Sequence, residues 1–185
     1  MKIEKLGIEG VWLGKSPILT DDRGNFREWF KSAEISEMTG KEFNVEQSNT
    51  STSKKGVIRG IHYSLAQKGQ GKWITCISGS IWDVVVDIRP SSSTYKKWIG
   101  MELSANEGTS ILISEGLGHA FLSLEDNSVV SYLLTTQYSP SEEFEINPLD
   151  PALGITWPDL SNFMSVKDSS APNLQTRYQQ GNLPN

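Results

Sequence analysis

The sequence predicts an all-β architecture, a sandwich, jelly roll or barrel, and three observations carry that prediction. Short runs rich in β-branched and aromatic residues recur along the chain, each bounded by turn residues. Helical periodicity is confined to one segment, SAEISEMTG at 32–40. Strands do not alternate with long helices, as the crossovers of a parallel α/β sheet require.

In chain order the predicted strands are FREWF (26–30), NVEQS (44–48), GVIRGIHYS (56–64), WITCIS (73–78) and IWDVVVDI (81–88). KKWIGMEL (96–103), TSILIS (109–114), HAFLSL (119–124) and SVVSYLLTT (128–136) follow. The one helix has Ser32 at its expected N-cap and Gly40 at its end, the usual punctuation of a short helix. From about residue 159 the chain is rich in Ser, Asn, Gln and Pro and reads as an irregular tail closing over the β body. No repeat or composition shift divides the 185 residues, so residues 1–185 are expected to form a single domain.

Composition narrows the partners. A net charge of −5 without a basic block argues against nucleic acid, where affinity comes largely from neutralising phosphates. MKIEKLGIEGVW at the start has scattered charges and no apolar run, so neither a signal peptide nor a membrane span is expected. A cytoplasmic, soluble protein is the resulting expectation. The single cysteine, Cys76, has no intramolecular partner and reads as a small buried residue.

Gly79 and Ser80 lie between two strong strand signals and are read as a tight hairpin turn. That turn would pair Ser78 with Ile81, Cys76 with Asp83, Ile74 with Val85 and Lys72 with Asp87. Alternation then places Lys72, Ile74, Cys76, Asp83, Val85 and Asp87 on one face. Trp73, Thr75, Ile77, Trp82, Val84, Val86 and Ile88 form a nearly continuous apolar wall on the other. The charged face has two readings, a solvated surface or the lining of a concave pocket.

Chemistry-bearing residues are few. His62 lies between Arg59 and Lys72 in sequence, and histidine is the natural general base near neutral pH. A hydrogen-bonded structural histidine is the competing reading, for His119 as well. His62 has no second histidine two residues away, so no metal is expected. Alternation puts Tyr132, Leu134, Thr136 and Tyr138 on one side of their strand; tyrosines there can pack, donate a proton or stack on a base.

Seven stretches, in order, complete the pattern: DDRGNFREWF (21–30), EQSNTSTSKKGVIRGIHY (46–63) and GQGKWITCISGSIWDVVVDIRPSSSTY (69–95), then SEGLGHAFLSLED (114–126), TTQYSP (135–140), DPALGITWP (150–158) and SVKD (165–168). Together they resemble the dTDP-4-dehydrorhamnose 3,5-epimerase family, sugar nucleotide epimerases on a cupin-like jelly roll, or double-stranded β-helix.

The resemblance implies conversion of dTDP-4-dehydro-6-deoxy-D-glucose to dTDP-4-dehydro-L-rhamnose without a cofactor. It implies His62 as base, Asp168 as its carboxylate partner, Tyr132 as acid and Lys72 as stabiliser of an enolate oxygen. Arg23, Glu28, Gln47, Ser48, Asn49, Arg59, His119, Glu143 and Lys167 match substrate-contacting positions. Tyr138 matches the aromatic that stacks on thymine, and Phe26 lies in the same matched motif as Arg23. A homodimer is implied as well.

Two points refine these expectations. Leu133 stands where the family often has a lysine, and alternation turns it away from the face of Tyr132. Strict alternation also puts Arg59 and His62 on opposite faces, so a shared role requires a bulge or bend near Gly60. Three alternatives share parts of the pattern: a single-centre C5 or C3 epimerase, a non-catalytic sugar nucleotide binding protein and a metal-dependent cupin oxygenase.

Overall fold

The computed structural model describes residues 1–159 and 163–185. The elements in chain order are β1 (Lys2–Lys5), β2 (Val11–Lys15), β3 (Leu19–Asp21), β4 (Gly24–Phe26), α1 (Ser32–Thr39), β5 (Gln47–Ser53), β6 (Ile58–Ser64), β7 (Lys72–Ser78) and β8 (Ser80–Asp87). They continue with β9 (Trp98–Ser104), β10 (Thr109–Ile113), β11 (Leu117–Ser123), β12 (Ser128–Leu134), β13 (Glu143–Glu145), α2 (Val166–Ser169) and α3 (Leu174–Gln179).

Two antiparallel sheets carry the fold, with strand orders β1-β2-β10-β7-β12-β5 and β13-β6-β11-β8-β9; β3 and β4 form a separate two-stranded hairpin. The sheets face each other across one apolar core. Ile74, Cys76, Ile111, Ile113 and Val130 of the first sheet pack against Ile81, Val85, Leu103, Leu117 and Phe121 of the second. Interleaved inner faces of this kind define a jelly-roll sandwich.

The outer faces are covered too, which is why strand after strand is apolar on both sides. Ile35 of α1, Phe43 and Trp12 pack with Trp73, Leu112 and Leu133 outside the first sheet. Ile146, Leu153 and Leu174 cover Ile61, Tyr63, Val84, Val86 and Ala120 outside the second. The segment expected to be an irregular tail thus does close over the β body, but it does so with two short helices. Asn173 caps α3 by accepting from the Thr176 N–H, a local signal hidden in a polar composition. At α1 the cap is Lys31 rather than Ser32, without a side-chain hydrogen bond.

The expected hairpin at Gly79–Ser80 is not formed. β7 pairs with β10 and β12, whereas β8 pairs with β9 and β11, so Gly79 is a corner where the chain passes from one sheet to the facing one. Gly79 has φ +72°, and a Cβ there would meet the Ser128 Oγ at 2.7 Å. The grouping by faces survives the wrong pairing, because the corner shifts parity by one residue just as the expected turn would: even-numbered residues look inward on β7 and odd-numbered ones on β8. Lys72, Ile74 and Cys76 look inward from one sheet, and Asp83 and Val85 look inward from the other. Of the two readings of the charged face, the structure selects the interior one.

Candidate active site

The strand β6 needs both Arg59 and His62 on the inner face, and the structure provides the bulge that permits it. Opposite β11, His62 pairs with His119 and Arg59 with Phe121, with a register shift between them. Gly60 sits at the shift with φ +116°, and a Cβ on it would lie 2.5 Å from the His119 carbonyl oxygen. Only glycine fits so close an approach of two backbones.

His62 Nε2 lies 2.7 Å from Asp168 Oδ1 on α2. Ser165 caps that helix by accepting from the Asp168 N–H at 3.0 Å, which fixes the carboxylate. Asp168 is 4% exposed. Burial alone would raise its carboxyl pKa, but the hydrogen bond and charge of His62, with donors at Ser165 and the Gly60 backbone, hold it below the usual value. The result is an ionised aspartate orienting a half-exposed imidazole. No partner for the other ring nitrogen, Nδ1, is present among the described residues.

Tyr132 looks inward from β12 in the opposite sheet, in one row with Asn49 of β5 and Ile74 of β7. Gln47, Leu134 and Lys72 form the adjoining row of the same three strands. A cavity of about 180 Å³ lies between the sheets, lined by His62, Tyr132, Lys72, Gln47, Asn49, Gln70, Leu134, Tyr138, Glu143, Phe144 and Lys167. A second hollow of about 430 Å³ shares His62 and Lys167 and adds Arg59, Phe163 and Asp168. Together they make a cleft with a histidine on one wall and a tyrosine on the other.

Lys72 is 7% exposed. Burial lowers the pKa of its ammonium group, and the negative charge of Glu143 partly opposes the shift. Arg59 is held by its Nε donating to Ser53 Oγ at 3.0 Å and Nη2 donating to the Thr52 carbonyl at 3.2 Å. Gln47 accepts from the Tyr138 N–H at 2.7 Å and donates to Asn49 Oδ1 at 3.0 Å, tying three of the named residues together. His119 Nε2 is 2.7 Å from Asp83 Oδ2 and stands beside His62 on the paired strand. Lys167 forms an ion pair with Glu145 at 3.2 Å.

Five named residues line neither hollow, His119 among them, turned to Asp83 beside His62. Ser48 is exposed on the outer face of β5, because alternation turns it opposite to its neighbours Gln47 and Asn49. Arg23, Phe26 and Glu28 lie on or beside the β3–β4 hairpin and do not line the cleft. Arg23 instead pairs with Asp21, Glu28 with Lys31 at 2.8 Å, and Phe26 is 62% exposed. Leu133 packs on the outer face with Trp73, as alternation predicts. Gln70 and Phe144 line the cleft without having been singled out; alternation back from Lys72 puts Gln70 on the inner side and could have found it.

Among the described residues no three His, Cys, Asp or Glu side chains cluster to hold a metal ion. What the fold and cleft define is a cupin-like jelly roll with a histidine and a tyrosine facing each other across a pocket. The family model for dTDP-4-dehydrorhamnose 3,5-epimerase matches residues 5–176. A dTDP-4-dehydrorhamnose 3,5-epimerase of Mycolicibacterium smegmatis is 42% identical over 100% of this chain and 91% of its own length. A dTDP-4-dehydro-6-deoxyglucose 3-epimerase of Streptomyces bikiniensis is 41% identical over 97% of this chain and 92% of its own.

Among solved structures, an epimerase of Mycobacterium tuberculosis superposes with a TM-score of 0.96 at 38% identity, covering 100% of this chain and 94% of that one. A 3'-monoepimerase of S. bikiniensis in complex with dTDP-quinovose gives 0.93 at 41% identity, covering 97% and 91%. A variant of that monoepimerase with one histidine and one tyrosine replaced has also been solved, with dTDP. This chain belongs to the dTDP-4-dehydrorhamnose 3,5-epimerase family. It is an isomerase, an epimerase of dTDP-sugar metabolism.

Proposed function

We propose that the protein inverts C3 and C5 of dTDP-4-dehydro-6-deoxy-D-glucose to give dTDP-4-dehydro-L-rhamnose, without a cofactor. The observation that carries this reading is the placement of His62, backed by Asp168, and Tyr132 on opposite sheets facing one cavity. The C4 ketone acidifies the hydrogens on both neighbouring carbons. A base on one face of the sugar removes a proton to give an enolate, and an acid on the other face returns one with inversion. His62 is the base, Asp168 stabilises its imidazolium, Tyr132 is the acid and Lys72 stabilises the enolate oxygen. In the related monoepimerase variant the replaced histidine and tyrosine are spaced along the chain as His62 and Tyr132 are, which supports these roles.

Arg59, His119 and Lys167 suit the diphosphate, Arg59 through a planar donor array that binds two oxygens at once. Tyr138, 57% exposed at the rim, offers a ring on which thymine can stack. Gln47, Asn49 and Glu143 line the sugar pocket. A cytoplasmic homodimer completes the reading. The hairpin exposing Leu19 and Phe26 and the unpaired edge of β5 are surfaces that a second copy would cover. Lying over the partner's cleft, such a hairpin would bring Arg23, Phe26 and Glu28 to the substrate.

Single-centre epimerisation is the second reading, supported by the nearly equal similarity to a 3-epimerase, 41% identical against 42%. The decisive test follows the substrate by NMR in deuterated water. Deuterium at C3 and C5, with the L-rhamnose precursor trapped by a reductase, supports the first reading. Label at one carbon supports the second. No label, despite dTDP binding, refutes both in favour of a binding protein. His62→Ala should abolish exchange, and Tyr132→Phe should impair inversion more than binding.

A further inference from the structure

The cleft contains a buried amide that the proton-transfer scheme does not use. Gln70 is 5% exposed and lines the cavity two residues before Lys72. Its Nε2 donates to Glu143 Oε1 at 2.9 Å and to Thr136 Oγ1 at 3.2 Å. Lys72 and Glu143 face the same small cavity, Lys72 buried and Glu143 partly buried, where opposite charges attract more strongly than on an open surface. Yet Lys72 forms no ion pair or hydrogen bond with any side chain among the described residues. Elsewhere in the chain Glu145, next but one to Glu143, pairs with both Lys167 and Arg177 at 3.2 Å.

We propose that Gln70 is a positioning residue that tethers Glu143 away from Lys72, keeping the Lys72 ammonium free of protein partners and available to the substrate oxygen. A neutral donor suits the task. It holds one carboxylate oxygen by a hydrogen bond without cancelling the charge, and Thr136 fixes the amide so that its two N–H groups are both used. Released from this tether, Glu143 is free to close on Lys72, and the enolate would have to compete with a carboxylate for the same cation. A tether that opposes an ion pair predicts an effect that depends on the charge of Glu143, which mere packing does not.

This inference rests on the assignment of Lys72 to the enolate oxygen, and the experiment separates the two. Deuterium exchange rates and dTDP affinity are measured for Q70M, E143Q, the Q70M/E143Q double variant and K72M. Q70M should lower kcat roughly tenfold or more, with dTDP affinity changed less than about threefold. In the E143Q background the same change should cost little, because a neutral amide cannot form the competing ion pair. Q70N, polar but too short to reach Glu143, should reproduce Q70M and covers the case in which Q70M does not fold. Equal losses in both backgrounds, or full activity in Q70M and Q70N, would overturn the tether. Unchanged exchange in K72M would instead sink the Lys72 assignment, whatever Gln70 does.

Discussion

Replacing Gly60 by alanine tests how the fold builds the site. The new Cβ would stand 2.5 Å from the His119 carbonyl oxygen, 2.6 Å from Ala120 Cβ and 2.7 Å from Ala120 Cα. These are backbone atoms or lie one bond from it, on a strand hydrogen-bonded on both sides, so no flexible side chain can yield. Overpacking of this kind costs about 1–3 kcal/mol, and a left-handed φ adds about 1–2 kcal/mol for a residue with a Cβ. A total of about 3 kcal/mol lowers Tm by roughly 6–12 °C in a chain of this size. Any relief must open β6 from β11, which shifts Arg59 and His62 relative to each other. Exchange activity should therefore fall about 100-fold, beyond what the stability loss explains while the protein remains folded. Calorimetry and the deuterium exchange assay read the two effects. Gly7→Ala, which meets nothing within 4 Å, serves as the control. A Gly60→Ala protein with unchanged Tm and full exchange would refute the claim that this bulge aligns the two residues.

Two further predictions concern buried groups outside the cleft. Burial would raise the carboxyl pKa of Asp87, but hydrogen bonds from Arg89, Ser92 and Thr94 overcome this and hold it at about 2, against an ordinary 3.8. A depressed carboxylate stabilises the fold above its unfolded pKa, and that stability is lost as pH falls through the folded value. About 2–3 kcal/mol should disappear between pH near 5 and pH near 1, and Asp87→Asn should lower Tm at neutral pH while flattening its acid dependence. Burial pushes the Cys76 thiol up to about 11. Iodoacetamide at mildly alkaline pH should leave it unmodified until the protein is unfolded, and rapid labelling of the native protein would contradict the buried placement.

The parts of this fold legible in the sequence are those set by local alternation. Runs such as WITCIS and SVVSYLLTT became strands within a residue or two, because β-branched and aromatic residues suit a pleated strand covered on both faces. Pairing partners were not legible. Gly79–Ser80 has the residues of a hairpin turn, and a jelly-roll corner uses the same backbone freedom to send the chain to the opposite sheet. What distinguishes them is whether the inner faces of β7 and β8 pack side by side or across a core, a tertiary fact. The short strands β1, β2, β3 and β13 were missed for another reason, and the run FREWF holds only Phe26 of β4. They carry too few alternating residues to stand out, and are held by their neighbours.

The site followed the same division. His62, Tyr132, Lys72 and Asp168 come together through strand parity and one helix cap, and each parity was available from sequence. The Asp168 contact spans 106 positions, and only the resemblance could suggest it. Ser48 shows the opposite failure: carrying over a contiguous EQSN stretch ignored that adjacent strand residues cannot share a pocket. The bulge at Gly60 breaks the parity of β6, and that break turns Arg59 and His62 toward the same cleft. A strand that must present two inward residues three apart cannot remain regular, so the requirement for both of them predicts the irregularity at Gly60 before any coordinate is known.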